Sequence, residues 1–577
     1  MIGVAVVLIV IWVWFDLKLL DYTREMTQII ANIEYQVVTH TDGMNEIKRN
    51  GGYMILCALG SLTASISVGY LASRIAAAHA QRLRSLQFSK VDSFSMAEIN
   101  KFSTASLITR STNDVTQIQM VFTMGLQIVI RAPILAVWAL SKMTGMSMEW
   151  TMVTGVAVVV LVVMFAVLIL LVLPKFRKMQ TLTDNVNQVA RENLTGLPVV
   201  RAYNADGYQE AKFEKANDEL TSTQLYTSRA LATMMPLISL VMNMVILAVY
   251  WIAAILINNT PANAESLIGD LAVVVPYSMQ VLMSFMLLTI LFIMLPRAQV
   301  SARRINEVLD SESTIIDGNM TETDPSRKGE IEFKNVGFSY PGAANPVLHD
   351  ISFSVSHGET AAFIGSTGSG KSTLVNLIVR FYDVTEGSVL IDGIDVRDYK
   401  LDALHDKIGY VPQKAVLFSG TVTSNVAFGD METKRTEDDV KDAVRIAQGK
   451  DFVEKMDNTY EATISRGGTN VSGGQKQRLS IARAVAKKPE IYVFDDSFSA
   501  LDYKTDRNLR TVLKKETRGV TSIIVAQRIG TIMDADKIVV LDEGKLVGIG
   551  THKELLNTCA VYRDIATSQL SEKELDL

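Results

Sequence analysis

Cysteine is almost absent: the 577 residues contain two, Cys57 and Cys559, far apart in the chain. A disulfide framework is excluded, and the chain needs no oxidising compartment. Charge is scarce too, at 20% of residues, and neither sign dominates, with 56 Lys and Arg against 61 Asp and Glu for a net charge of -5. That balance offers no overall attraction for nucleic acid. What fills the chain is apolar: 48% of residues are hydrophobic and mean hydropathy is +0.21. A positive mean over a whole chain is unusual unless part of it sits in lipid, and the length excludes a single compact module.

The apolar residues concentrate in the first half. Six segments approach or exceed the roughly 20 apolar residues that cross a bilayer core: Ile2 to Leu20, Met54 to Leu71, Met120 to Leu140, Val153 to Leu173, Leu231 to Ile257 and Leu267 to Leu295. The fourth carries no charge; the first is interrupted by Asp16 and Lys18. No small-residue cleavage site follows the first run, so a cleaved signal peptide is disfavoured. The second-to-third connection carries Arg74, Arg82, Arg84, Lys90, Lys101 and Arg110, and the fourth-to-fifth carries Lys175, Arg177, Lys178, Arg191, Arg201, Lys212, Lys215 and Arg229. The turns Thr144 to Trp150 and Asn258 to Ser266 have neither Lys nor Arg. By the positive-inside rule the long connections and both termini are cytoplasmic. Few Gly or Pro interrupt those connections, so they read as membrane helices continuing into the cytoplasm. Their turns are expected around Ser103 to Asp114 and around Asn193 to Asp206.

Residues 1–310 therefore form a transmembrane domain with two long intracellular loops, residues 311–328 a polar linker, and residues 329–577 a soluble domain. In the last, β-rich runs such as ETAAFIG, EIYVFD and TSIIVA alternate with helical stretches, the pattern of an α/β fold with its own core.

ETAAFIGSTGSGKSTLVNLIV places Gly365, Gly370, Lys371 and Ser372 in G-x-x-x-x-G-K-[ST] spacing between an apolar strand and a helix. Glycines let backbone N–H groups close around phosphates, the helix N-terminus adds positive potential, Lys371 reaches the terminal phosphates and the Ser372 hydroxyl suits Mg²⁺. EIYVFDD ends an apolar strand in Asp495, placed to hold Mg²⁺ through its water shell. Between these lie VPQ, ending in Gln413, and VSGGQ, where Ser472, Gly473 and Gly474 open a helix. Alone, SGG would read as a flexible cap. Tyr340, in FSYPG, is available to stack on a nucleobase, and SALD (Ser499 to Asp502) follows the acidic pair.

In this order, the motifs resemble the nucleotide-binding domain of the ATP-binding cassette (ABC) superfamily: the aromatic Tyr340, Walker A from Gly365 to Thr373, the Q-loop Gln413, the VSGGQ signature, Walker B ending in Asp495, and the D-loop. With six upstream spans, the chain is similar to exporter half-transporters, most of all bacterial multidrug exporters, on which FSTASLITRSTNDVTQIQ and LPRAQVSARRINEVL also bear. The resemblance implies a type IV exporter fold, an α-helical membrane domain fused to an α/β P-loop ATPase. It implies ATP and Mg²⁺, with Tyr340, Gly365, Ser366, Gly368, Ser369, Gly370, Lys371, Ser372, Thr373 and Gln413 on the nucleotide and Ser372, Gln413 and Asp495 on the metal. At the extreme N-terminus the short amphipathic elbow helix of that group is missing, which points to a truncated start or a shortened variant.

Two positions depart from the pattern. Where the family usually has a catalytic glutamate after Walker B, this chain has Asp496, whose carboxylate is retracted by about 1.5 Å, one C–C bond. Misplacement on that scale can slow a positioned step about 100-fold. The family's switch histidine is replaced by Gln527, an amide that cannot become cationic. Binding residues stay intact while chemistry weakens. In the family the signature acts in trans, so Ser472, Gly473, Gly474, Gln475 and Asp502 are expected to complete a second site whose glutamate and histidine come from a different half-transporter. An obligate or preferred heterodimer is the expectation.

The cargo is less legible. Arg131 in the third span should face a bundle interior, water or a partner. Met279, Gln280, Met283, Phe285 and Met286 in the sixth span, and Met242, Asn243, Met244, Tyr250 and Trp251 in the fifth, suit variously shaped apolar ligands, though ordinary packing explains any one of them. Export of amphiphilic or drug-like compounds is the expectation. Lipid or peptide export, and a regulatory ATP-binding subunit that transports nothing, are the alternatives.

Overall fold

The computed structural model describes residues 1–34, 39–260, 264–321, 324–429 and 435–570. The chain divides into two compact units, Met1–Lys90 with Ala105–Asp310, and Val91–Thr104 with Ser311–Leu577.

The first half is helical: α1 (Ile2–Glu34), α2 (His40–Asp92), α3 (Met96–Phe102), α4 (Thr104–Thr109), α5 (Val115–Thr144), α6 (Met148–Thr195), α7 (Leu197–Ala202), α8 (Asp206–Ala232), α9 (Met234–Asn259) and α10 (Ala264–Leu309). Among the described residues, six helical runs are long and apolar enough to cross a membrane. At 53 residues, α2 is about 80 Å long at 1.5 Å per residue, far more than a hydrocarbon core of about 30 Å. The helical reading of the long connections is thus met: α2 and α6 run on past their apolar stretches. Large apolar side chains on α6, among them Val156, Val159, Val163 and Leu170, are exposed, as lipid-facing residues are.

The inner faces pack around Leu17, Met143, Trp150, Tyr277 and Leu282, all fully buried. Two buried polar contacts tie the helices there: Thr154 Oγ1 meets Ser278 Oγ at 2.8 Å, and the Trp150 indole N–H donates to the Val249 carbonyl at 3.3 Å. Of the charges that interrupt the first span, Lys18 pairs with Asp21 one turn along α1 at 3.6 Å, while Asp16 has partners on other helices. Asp16 accepts from Arg131 Nη2 at 2.9 Å and from Ser61 Oγ at 2.6 Å. Asp21 holds Lys142 at 2.8 Å, and Arg24 pairs with Asp270. The methionine and aromatic residues of the fifth and sixth spans divide: Met242, Phe285 and Met286 pack against the bundle core, while Met283, Met244, Tyr250 and Trp251 are exposed.

One expected turn moves. The first reversal is not at Ser103 to Asp114 but earlier. α2 ends at Asp92, and Ser95 caps α3 in a capping box with Glu98. Ser103 takes φ +59, and Thr104 is already in returning helix. Two local causes set this. Ser95-x-x-Glu98 is a helix-start signal. Further on, the chain makes a π-turn at Arg110–Asp114 that carries Asp114 inward, where Ser301 Oγ donates to it at 2.9 Å and Arg304 lies at 3.4 Å. The second reversal, α7 between Gly196 and Asp206, falls where the sequence places it. The outer turn Asn258 to Ser266 lies partly outside the described residues.

The second unit contains β1 (Ile331–Phe338), β2 (Leu348–Val355), β3 (Thr360–Gly365), β4 (Glu386–Ile391), β5 (Ile394–Asp395), β6 (Ile408–Val411), β7 (Gly420–Thr421), β8 (Thr463–Ile464), β9 (Ile491–Asp495), β10 (Thr521–Val525), β11 (Lys537–Asp542) and β12 (Lys545–Gly550). β2-β1-β4-β5 form an antiparallel sheet, β7-β8 a small ladder, and the main sheet has the order β12-β11-β3-β10-β9-β6, parallel except at the β12 edge. β9 is buried along its whole length, as a central parallel strand covered on both faces must be.

The polar segment before β1 is no loose tether. Gly318, Asn319 and Met320 donate backbone N–H groups to Asp398 and Tyr399, and Arg380 Nη2 donates to the Ile316 carbonyl at 2.8 Å. α3 packs with this unit: Asn100 donates to the Tyr382 hydroxyl at 2.9 Å, and Thr314 touches both Ser95 and Glu98. Removing the cap in Ser95→Ala should cost about 1 kcal/mol. The expected outcome is roughly fivefold faster amide exchange across Met96–Phe102, with β9 unaffected; unchanged exchange there would show that the cap does not hold the helix.

Candidate nucleotide site

Four adjacent parallel strands deliver the site. Val525 of β10 pairs with Phe363 of β3 on one side and with Asp495 of β9 on the other, and Val411 of β6 pairs with Phe494. The chain leaves each strand at the same edge, the carboxyl edge where ligands of open α/β sheets bind. The phosphate loop therefore follows β3, Gln527 follows β10, Asp496 follows β9 and Gln413 follows β6.

The loop Gly365 to Gly370 needs its glycines. Gly368 and Gly370 have φ of +87 and +98, and a Cβ at Gly365 would lie 2.0 Å from the Leu541 carbonyl oxygen. α11 (Lys371–Ile378) then begins at Gly370 with no side-chain cap. Its first-turn N–H groups are left for an anion. Lys371 Nζ folds over the loop, donating to the carbonyls of Gly365 at 2.9 Å and Ser366 at 2.7 Å, with Ser369 Oγ at 3.4 Å. Burial pulls the Lys371 ammonium below its ordinary value, opposed by Asp496 and Asp495.

Ser372 Oγ donates to Asp495 Oδ1 at 3.0 Å. Burial raises the Asp495 carboxyl above the usual range; the Ser372 bond opposes this, the neighbouring Asp496 charge adds to it and Lys371 opposes it. Among the described residues, no cluster of three or more His, Cys, Asp or Glu side chains is arranged for a metal. A hydroxyl and one carboxylate nevertheless fit Mg²⁺, which takes few protein oxygens and completes its shell with phosphate and water.

Asp496 lies beyond the strand end with φ +45, its N–H bonded to the Val525 carbonyl. For a residue other than glycine that conformation costs of order 1 kcal/mol or more. Its Oδ2 accepts from Gln527 Nε2 at 2.9 Å and from Gln413 Nε2 at 3.3 Å. The structure thus joins three residues that lie 83 and 31 positions apart in the sequence.

Tyr340 is half-buried, its hydroxyl 3.0 Å from Thr373 Oγ1 and its ring edge-on to Tyr382 at 5.2 Å. Ser472 caps the helix Gly473–Ala486 in a capping box with Gln475. Gly474 lies against the Ala500 carbonyl and the Leu501 side chain, so the signature and the SALD turn form one surface. Asp502 caps the helix Tyr503–Glu516 through Thr505 N, a bond that lowers its carboxyl below the usual value. Among the described residues, Ser472 to Gln475 join none of the hydrogen bonds that link Ser372, Asp495, Asp496, Gln413 and Gln527.

Three contributors escaped the sequence reading. Gln569 anchors the Gln527 segment, donating to the Gln527 carbonyl at 2.8 Å and accepting from Ile529 N at 2.8 Å. Gln477 Nε2 donates to the Pro412 carbonyl at 3.3 Å, tying the signature helix to the segment that carries Gln413. Tyr382 stands between Tyr340 and Asn100. Only Gln477 had a nearby signal, being two residues beyond the signature. Gln569 lies in a segment with no motif.

Residues 348–499 match the family model described as ABC transporter, and residues 22–285 the one described as ABC transporter transmembrane region. The chain is 41% identical to an uncharacterized ABC transporter ATP-binding protein of Mycobacterium tuberculosis, over 90% of this chain and 87% of the relative. It is 31% identical to an ATP-dependent lipid A-core flippase of Hahella chejuensis, over 91% and 88% of the two lengths. The solved structure of a bacterial Atm1-family ABC exporter with ATP bound covers 98% of each chain at a TM-score of 0.80 and 22% identity, a likeness of fold.

The Asp495 shift has a definite sign. A carboxyl raised in the folded state lends stability that is full below its ordinary value and is lost as pH rises through the raised one. A metal needs the ionised form. Binding of Mn²⁺, standing in for Mg²⁺ beside a non-hydrolysable ATP analogue, should therefore weaken on acidification while pH is still above the usual carboxylate range. Asp495→Asn should bind weakly at every pH. A wild-type profile that stays flat into the ordinary range would contradict the assignment.

Proposed function

The chain belongs to the ABC transporter family, with membrane region and transport ATPase fused in one polypeptide, and on that premise we propose that it is one half of a heterodimeric exporter of amphiphilic, drug-like compounds whose own ATP site is weak. The observation that carries the weak-site reading is the state of Asp496. Its shortened carboxylate has one oxygen engaged by two amides, Gln527 at 2.9 Å and Gln413 at 3.3 Å. A base that must polarise water is held by neutral donors, and no side chain there gains positive charge as negative charge develops on the phosphoryl group.

MgATP, when bound, supplies the phosphoanhydride that powers the cycle, its metal spreading the charge of the phosphates. Tyr340 takes the base, the loop Gly365 to Gly370 wraps the phosphates, and Lys371 turns from the carbonyls of Gly365 and Ser366 toward them. Ser372, Asp495 and Gln413 present oxygens to the metal. Ser472, Gly473, Gly474, Gln475 and Asp502 serve the partner's nucleotide, whose glutamate and histidine do the fast hydrolysis. Nucleotide-driven closure passes from Tyr340 to Tyr382 and on to Asn100 of α3, then into α2 and α4. The Lys and Arg of the long connections support an ATPase domain on the cytoplasmic face of the cell membrane.

A second reading, export of lipid, draws support from the lipid A-core flippase among the relatives. Stimulation of ATPase by a lipid and by no drug-like amphiphile would favour it.

The purified chain alone is expected to bind MgATP and turn it over far below about 1 s⁻¹. In the two-chain complex, Asp496→Glu with Gln527→His should raise turnover at this chain's own site at least about tenfold; no rise would count against the weak-site reading. In the same complex, Ser472→Ala should depress turnover at the partner's site, and normal turnover would contradict action in trans.

A further inference from the structure

Between α1, α5 and α10, within the membrane unit, lies a cavity of about 290 Å³ whose wall includes Trp12, Gln127, Arg131, Gln280, Met283 and Leu287. Its chemistry is mixed in a way that membrane packing alone does not need. Arg131 brings a full charge into an apolar bundle, an arrangement that is costly unless the charge is compensated. The charge is answered inside the bundle: Asp16 takes Arg131 Nη2 at 2.9 Å, Ser61 donates to the other Asp16 oxygen at 2.6 Å, and the Trp12 ring lies 3.8 Å from the guanidinium carbon. The wall is therefore electrically neutral. An anion would leave it net negative and a cation net positive, each desolvated at low dielectric with no counterion.

The same wall is short of hydrogen bonds. Among the described residues, Arg131 Nε and Gln280 Oε1 are buried without a hydrogen-bond partner, and such groups are destabilising until a partner is supplied. Gln127 and Gln280 each carry donors and an acceptor. Beside them, Met283 and Leu287 offer apolar surface. The volume is at the lower limit of ligand pockets, roughly 300 Å³, so it suits part of a molecule rather than a whole drug.

We propose that this cavity is a headgroup site that takes the uncharged, hydrogen-bonding end of an amphiphile, a hydroxyl or carboxamide, with Arg131 and the two glutamines satisfying it and the apolar tail running along α10. This deepens the export reading and rests on it, by naming the headgroup class, but binding can be measured without transport.

The test uses the full chain in phosphatidylcholine nanodiscs without nucleotide. Three probes share one dibrominated alkyl chain and end in carboxamide, phosphate or trimethylammonium. The readout is bromine quenching of Trp12 emission, taken as the difference from Trp12→Phe. The carboxamide should quench at a concentration about tenfold lower than either charged probe. Gln280→Leu should raise its midpoint about threefold to tenfold, the worth of one or two hydrogen bonds. Asp16→Asn, which leaves Arg131 uncompensated, should reverse the order in favour of the phosphate. Equal or tighter binding of a charged probe to the wild type, an unmoved midpoint in Gln280→Leu, or no quenching beyond the Trp12→Phe blank, as for a cavity that takes only water, would each overturn the site. If the carboxamide binds and yet is not moved across vesicles by the two-chain complex, the export reading fails and the site stands.

Discussion

The hydrogen-bond register of β3, β10, β9 and β6 is the constraint on which the ATPase unit depends. Pairing Val525 with both Phe363 and Asp495, and Val411 with Phe494, aligns four strand ends at one edge. A slip of one residue would turn each strand's side chains to the opposite face. Asp495 would then no longer meet Ser372, nor Gln527 reach Asp496. The burial of Val493, Phe494 and Ile523 that fixes the register is thus also what sets the chemistry, and the fold tolerates the left-handed Asp496 because the strands on both sides are held.

The membrane unit answers to a different solvent. Lipid supplies no hydrogen bonds, so a polar group carried into it is costly until it finds a partner within the protein. Asp16 with Arg131, Asp21 with Lys142, and Thr154 with Ser278 do this. These pairs choose which helices are neighbours, because apolar packing is permissive and an unmatched charge is not. Arg131 and Gln280 leave donors and acceptors unfilled at one cavity, which is why that place, among the apolar surfaces of the bundle, carries chemical selectivity on the reading advanced above.

On the proposed reading, Asp496 and Gln527 would let the site keep affinity while losing speed. Phosphate binding relies on backbone N–H groups and a lysine, none of which depends on the two substituted side chains. Water activation relies on one carboxylate at one distance. An amide bonded to that carboxylate stabilises the resting arrangement, and on the proposed reading it transfers the burden of turnover to a partner chain.

Much of this was legible in the sequence for physical reasons. Spans reveal themselves because about 20 contiguous apolar residues have no other common use, and the phosphate loop because glycine spacing is demanded by backbone geometry within a few residues. Local signals extend even to Ser95-x-x-Glu98, which marks the start of α3 although the turn was expected nearer Ser103. Other features rest on pairs of residues distant in the chain. That Asp16, an apparent flaw in the first span, is the counter-charge of Arg131, that Gln569 anchors Gln527, and that Tyr382 stands between Tyr340 and Asn100 are matters of packing, with no periodicity or spacing to announce them. The sequence by itself determined the two solvents, the six spans and the nucleotide motifs, because each is encoded by neighbours along the chain. Tertiary structure decided which charges meet and what holds Asp496, because those depend on contacts made only when distant segments share one core.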